Sequence, residues 1–96
     1  MTPSFFRIQQ DLVQLIDRST EKEPSVSEAH ALNIELLKII GFAHSRTMQE
    51  LIDISFDLSN WLDDGDIRQR DLEYSEITTK RLKEWADKNR HPSKVI

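Results

Sequence analysis

Apolar residues recur along most of the chain at intervals of three and four, which is the spacing of an amphipathic helix. The first such segment spans about residues 3–18, where Thr2 suits the N-cap and Pro3 the first helical position. Its apolar stripe comprises Phe5, Ile8, Leu12, Leu15 and Ile16. Residues 19–24 are polar, lack this periodicity and end in proline, so they predict a loop. No stretch alternates strictly between apolar and polar residues, as a half-buried strand does.

Three pairs of residues have the spacing of a capping box, in which two side chains at a helix start each bond a backbone N–H of the other residue. They are Ser25 with Glu28, Thr47 with Glu50, and Asp66 with Gln69. The pair Asp64–Gly65 predicts the end of a helix, with Gly65 at positive φ. Together these signals predict a second helix from residue 25, a third over 48–64 and a fourth over 67–89, followed by a tail over 91–96.

The connection between the second and third helices is the part of the pattern that leaves two alternatives. The apolar faces of these helices differ in phase by only about 40°, which is compatible with one long bent helix. Glycine inside a helix costs about 1 kcal/mol relative to alanine, so Gly41 favours a break within residues 41–46. In both cases the sequence predicts a single all-α domain over residues 1–90, an antiparallel bundle of three to four helices.

Wide apolar arcs on the second and third helices predict that this domain has a partner. A surface helix needs an apolar stripe only slightly wider than about 100°, and both arcs exceed that width. The arcs comprise Val26, Ala29, Leu32, Leu36, Leu37, Ile39 and Ile40 on the second helix, and Met48, Leu51, Ile52, Ile54, Phe56, Leu58, Trp61 and Leu62 on the third. A homodimer built on these helices would cover both arcs. The alternative is a compact monomeric four-helix bundle in which they are central.

The composition narrows the class of protein. The 96 residues include 13 basic and 17 acidic side chains, and the resulting net charge of −4 disfavours binding to nucleic acid or to an anionic membrane. The absence of cysteine suits a reducing compartment. No apolar run approaches the roughly 18 residues that a transmembrane helix needs. We therefore expect a cytoplasmic protein.

The charge is unevenly distributed along the chain. Residues 1–47 carry a net charge of −1, residues 48–76 of −7 and residues 77–96 of +4. The residues predicted to bind a partner are Glu50, Asp53, Asp57 and Asp64 on the acidic third helix, and Lys80, Arg81 and Lys83 on the basic C-terminal helix. The pattern predicts a small regulatory module that needs no metal or cofactor and binds a basic partner protein.

One string within the third helix supports an alternative function. Residues 49–56, Gln-Glu-Leu-Ile-Asp-Ile-Ser-Phe, resemble the second acidic motif of the MazG-type all-α nucleoside-triphosphate pyrophosphohydrolases, a magnesium-dependent family. The resemblance implies that Glu35, Glu50 and Asp53 hold magnesium. The family carries Glu-x-x-Glu on the preceding helix, whereas Lys38 takes the place of the second glutamate here. The resemblance therefore implies a degenerate relative.

Three other patterns each conflict with the chemistry that they would need. His30 is similar in its setting to the active histidine of histidine phosphotransfer domains, but Ile34 stands where that family has glycine. Residues 60–71 can be aligned with a calcium-binding loop, but Leu62 falls where an oxygen ligand is required. Residues 35–51 can be aligned with a DNA-reading helix-turn-helix, but the second helix would present carboxylates to the phosphates.

Overall fold

The computed structural model describes residues 5–90 and places almost all of them in five α-helices. These are α1 (Phe5–Thr20), α2 (Val26–Ser45), α3 (Gln49–Asp63), α4 (Gly65–Arg70) and α5 (Leu72–Asn89). The predicted all-α class is confirmed, and residues 5–90 contain no strand. The predicted N-cap at Thr2, the predicted helix start at Pro3 and the predicted tail over 91–96 lie outside the described residues.

The four long helices enclose one apolar core. α2 packs along α3, α1 packs against both α2 and α5, and α5 also contacts α3. The largest fully buried apolar side chains are Leu12 and Ile16 of α1, Leu36 of α2, Leu51 and Leu58 of α3, and Leu82 of α5. The short α4 lies against α3 and α5. Within residues 5–90, every helix is too short or too polar to cross a bilayer.

The first helix continues past its predicted end at Arg18 and includes two residues that were predicted to lie in a loop. The hydroxyl of Ser19 donates to the carbonyl of Leu15 at 2.7 Å, and that of Thr20 donates to the carbonyl of Ile16 at 2.8 Å. These bonds satisfy both hydroxyls within the helix, so polar residues do not end it here.

The capping box predicted at the start of α2 is confirmed. The backbone N–H of Glu28 donates to the Ser25 hydroxyl at 3.2 Å, and the backbone N–H of Ser25 donates to the Glu28 carboxylate at 2.9 Å. The predicted break between the second and third helices is confirmed against the alternative of one long helix, but it does not fall at Gly41: α2 runs through this residue to Ser45, and α3 begins at Gln49. Ile40 and Ala43, on either side of Gly41, are both buried, and their packing outweighs the cost of about 1 kcal/mol for an interior glycine.

The chain turns between α2 and α3 at Thr47, whose φ is +57°. The backbone N–H of Met48 donates to the carbonyl of Ala43 at 2.9 Å and closes the turn. The predicted capping box of Thr47 with Glu50 is therefore wrong: Met48 is the N-cap of α3, and no side chain caps this end. A threonine at positive φ lacks the extended backbone that an N-cap residue adopts.

The fourth predicted helix is two helices, α4 and α5, separated at Asp71. The Asp71 side chain accepts from the backbone N–H of Tyr74 at 3.0 Å and so caps α5. Gly65 is the first residue of α4 and has no positive φ, which corrects the prediction for that residue. The predicted box of Asp66 with Gln69 is also wrong, because Asp64 is the N-cap of α4 and makes no side-chain cap bond.

Arg68 of α4 is buried, and its guanidinium joins three parts of the chain. Its Nε and Nη2 donate to one carboxylate oxygen of Glu23 at 2.9 and 2.7 Å, which ties α4 to the connection before α2. Its Nη1 donates to the backbone carbonyl of Trp61, and its Cζ lies 4.5 Å from the centroid of the Trp61 ring. Trp61 lies in the last turn of α3, where carbonyls have no partner within the helix. Arg68 supplies that partner, with the charge that a helix C-terminus favours.

We expect Arg68→Ala to lower the free energy of unfolding by about 1–3 kcal/mol, because the buried carbonyl of Trp61 would lose its donor. Arg70→Ala is the matched control, since Arg70 is exposed on the same short helix and its change should stay within about 0.5 kcal/mol. Urea denaturation followed by circular dichroism measures both. Equal midpoints for the two variants would show that Arg68 does not hold α4.

The capping box predicts how stability depends on pH. The backbone N–H and the hydroxyl of Ser25 hold the pKa of the Glu28 carboxyl below its ordinary value of 4.5. A lowered pKa in the folded state gives stability that is present above pH 4.5 and is lost as the pH falls through the lower, folded value. Glu28→Gln keeps an acceptor for Ser25 but does not titrate. We expect the wild type to lose stability relative to this variant below pH 4.5, as measured by thermal melts across pH 3–7.

Candidate protein-binding surface

The outer face of α3 is acidic. This helix contains four carboxylates, Glu50, Asp53, Asp57 and Asp63, and no lysine or arginine. Its opposite face is buried in the core through Leu51, Ile54, Leu58, Trp61 and Leu62, among others. The apolar periodicity thus fixes which way the carboxylates face, because a helix that buries one side turns the residues between those positions outward.

Two of the predicted partner-binding carboxylates are used within the fold. Asp57 pairs with Arg81 of α5 at 2.9 Å, so one predicted acidic residue meets one predicted basic residue inside the same molecule. Asp64, which follows α3, accepts from the hydroxyl of Tyr74 at 3.1 Å. Both bonds connect α3, or the residue that follows it, to α5. These two carboxylates therefore contribute to the packing of the bundle.

Glu50 and Asp53 remain open to solvent, and we call this pair the acidic patch. Both residues are exposed. Asp53 accepts from the side-chain amide of Gln49 at 2.8 Å. Neither carboxylate has a cation within salt-bridge distance among residues 5–90. The acidic patch is therefore the part of the predicted acidic face that makes no bond to α5 among the described residues.

The predicted basic surface on the C-terminal helix is electrically balanced in the structure. Helix α5 carries four basic residues, Lys80, Arg81, Lys83 and Lys88, and four acidic residues, Glu73, Glu76, Glu84 and Asp87. Lys80 and Lys83 are exposed on its outer side, whereas Arg81 faces α3 and binds Asp57. The balance arises because the basic excess belongs to residues 77–96, whereas α5 begins at Leu72 and includes Glu73 and Glu76. Among the described residues, Arg81 is the basic residue of α5 that pairs with the acidic face.

Two apolar residues that the sequence assigns to the buried arcs, one on α3 and one on α2, lie at the surface. Phe56, one turn after Asp53 on α3, is 44% exposed, and its ring meets that of His44 of α2 edge to face at 5.9 Å between centroids. Leu37, two turns before His44 on the same side of α2, is 61% exposed. The signal in the sequence is the width of the two arcs, which exceeds what one core can cover.

The structure does not bring the magnesium ligands of the alternative function together. Glu35 faces α1, where its carboxylate binds both terminal nitrogens of Arg18 at 2.9 and 3.3 Å. The hydrogen bond from Arg18 holds the pKa of Glu35 below its usual value. Glu50 and Asp53 lie on the outer face of α3. Among residues 5–90, no three acidic or histidine side chains are grouped closely enough to hold a metal ion.

The structure also shows where the histidine, calcium-loop and helix-turn-helix patterns lie. His30 is exposed on α2 at the rim of an open depression of about 710 Å³ that Asp63 and Arg68 also line. Residues 60–71 are largely helical, comprising the end of α3 and all of α4. Gly41 lies inside α2 and not in a turn, so the helix-turn-helix alignment fails on geometry.

Comparison with known proteins adds no family to this description. No family model matches the chain, and no curated protein or solved structure matches it either. The resemblance to MazG-type pyrophosphohydrolases therefore depends on residues 49–56 alone.

The bond between Tyr74 and Asp64 can be measured directly, because the chain contains one tyrosine. Burial, followed by the hydrogen bond to Asp64, raises the pKa of the Tyr74 hydroxyl above its ordinary value of 10.0. Ultraviolet titration of the folded protein should therefore give a pKa above 10.0, and Asp64→Asn should bring it closer to that value. The chain unfolded in urea supplies the reference. An identical titration in the folded and unfolded states would contradict the bond.

Proposed function

We propose that this protein is a binding module that holds a basic, amphipathic segment of another protein on the outer face of α3. The observation that carries the proposal is the acidic patch, Glu50 and Asp53, left without cations beside the exposed ring of Phe56. Because the chain lacks cysteine, we propose the cytoplasm as its compartment.

The two parts of this surface have different roles in binding. Exposed carboxylates steer a basic partner toward the surface and select against acidic ones, and this effect weakens as salt screens the charges. The Phe56 ring supplies apolar area: burying a fully exposed phenylalanine is worth about 1.5–3 kcal/mol, and the 44% of Phe56 still exposed can contribute a part of that. A segment with lysine or arginine on one side and apolar residues on the other would match both parts.

The cost of the acidic patch to the free protein supports a role in binding. Like charges three or four residues apart on a helix destabilise it by about 0.2–0.5 kcal/mol. Asp57 has its compensating cation in Arg81, and Glu50 lies in the first turn of α3, where the helix dipole favours a carboxylate, but Asp53 has no cation among the described residues. A basic partner would supply that compensation.

The double reversal Glu50→Lys with Asp53→Lys tests the proposal. Asp57 is left unchanged, because reversing it would break its internal pair with Arg81. We expect the reversed protein to lose partners that the wild type captures from its native cell extract at low salt. Quantitative mass spectrometry of the captured proteins measures the loss, and raising the salt should release the same partners from the wild type.

The matched control is Glu73→Lys with Glu76→Lys, which changes the net charge equally at the same spacing on the exposed side of α5. Partners that depend on the acidic patch should survive this control. If both double variants lose the same proteins, net charge alone explains the binding. If neither loses any, the outer face of α3 is not the binding surface.

A further inference from the structure

The connection between α2 and α3 is short and strained. Residues 46–48, Arg-Thr-Met, join the end of α2 to the start of α3. Among residues 5–90, Thr47 is the sole non-glycine residue at positive φ, at +57°. A branched side chain crowds the backbone in this region, where glycine, asparagine and aspartate are the residues usually found. The hairpin of α2 and α3 therefore holds this threonine in an unfavourable conformation.

The same residues can continue a helix. Residues 42–63 contain neither glycine nor proline. The apolar faces of α2 and α3 differ in phase by only about 40°, so one continuous helix over residues 26–63 would keep both faces on the same side. In that helix Thr47 would take the negative φ of a helical residue, which removes the strain. Arg46 and Glu50 would then be four residues apart, where opposite charges attract.

Straightening the connection would expose the core. It would separate α1 and α2 from the rest of the chain, although α2 packs along α3 and α1 packs against α5. Leu36 of α2 and Leu51 and Leu58 of α3, which are fully buried in the hairpin, would meet water. The surface that matches each exposed half is the other half of the same sequence, and a second copy opened in the same way supplies it.

We propose that two copies of this chain exchange residues 49–90 by straightening the connection at Thr47. Each half of the dimer then repeats the fold of the monomer, with α1 and α2 from one copy and α3, α4 and α5 from the other. The bond of Arg68 to Glu23 is made between copies in this dimer. A short hinge under strain favours such an exchange, since the dimer reuses the contacts of the monomer. The inference does not depend on the proposed function, because its contacts are those of the core.

Charge determines the conditions under which the exchange is favoured. Each copy carries a net charge of −4, so two copies repel, whereas the core contacts are the same in the monomer and in the dimer. Salt screens this repulsion, and we expect more dimer at high salt than at low salt. Salt has the opposite effect on a basic partner held by the acidic patch, so the two kinds of association can be told apart.

Refolding from urea at high protein concentration tests the proposal, because the exchange requires the core to open. We expect the wild type to yield a dimer that sedimentation still detects after dilution. Thr47→Gly removes the strain of the turn and disfavours the continuous helix, so the ratio of dimer to monomer should fall at least about tenfold. Its monomer should melt no earlier than the wild type. Thr47→Ala is the matched control: it keeps a Cβ at positive φ and favours helix, so the dimer should persist.

The absence of cysteine from the chain lets a cross-linker identify the exchange. The side chains of Asn33 of α2 and Asp63 of α3 are hydrogen-bonded at 2.6 Å. When Asn33→Cys and Asp63→Cys proteins are refolded together, a short thiol cross-linker should join one to the other, because half of a mixed dimer holds both cysteines. The two proteins refolded separately and then mixed are the control, and they should not be joined.

Three results would overturn the proposal. A wild type that is only monomeric after refolding at high concentration would show that the connection does not straighten. Dimers that form equally with Thr47→Gly would show that strain at this residue does not drive the exchange. Dimers without the cross-link between Asn33→Cys and Asp63→Cys proteins would be held by outer surfaces of the molecule and not by exchanged helices.

Discussion

The position of α4 depends on the buried guanidinium of Arg68. A helix of six residues is too short to persist by its own hydrogen bonds, so contacts outside it must hold it in place. Arg68 provides them by binding Glu23, ahead of α2, and the carbonyl of Trp61, at the end of α3. Burying a cation is unfavourable unless it is paired, and these two partners make its burial possible. Helix α5, in contrast, is held by its own packing against α1 and α3, where Leu82 and Ala86 are fully buried.

Much of the fold could be predicted from the sequence, because apolar periodicity and the Ser25 capping box are local signals. The errors fall at Gly41, Thr47 and Asp71, where a local preference of about 1 kcal/mol competes with tertiary packing. Gly41 stays helical because both of its flanks are buried, and Thr47 turns at positive φ because Met48 bonds back to α2. Neither effect can be calculated before the helices are placed against one another.

Less of the candidate surface than of the fold could be predicted from the sequence. The helical period of α3 is enough to turn Glu50 and Asp53 outward, and both are exposed. The internal use of Asp57 depends on how α5 crosses α3, which no local pattern specifies. The burial of Arg68 could not be predicted from a local pattern either. Arginine is ordinarily a surface residue, but Arg68 is only 3% exposed because two partners bind it.

Holding a short helix by one side chain also determines where the molecule opens first. When the guanidinium of Arg68 leaves its site, α4 cannot persist alone, whereas the core formed by the long helices stays intact. Opening is therefore local, and it frees the chain between α3 and α5 before global unfolding. A protease that cuts after arginine meets Arg70 in that segment, next to the exposed Asp71. A cut there breaks the chain between α4 and α5, so the contacts of Arg68 protect this connection from proteolysis.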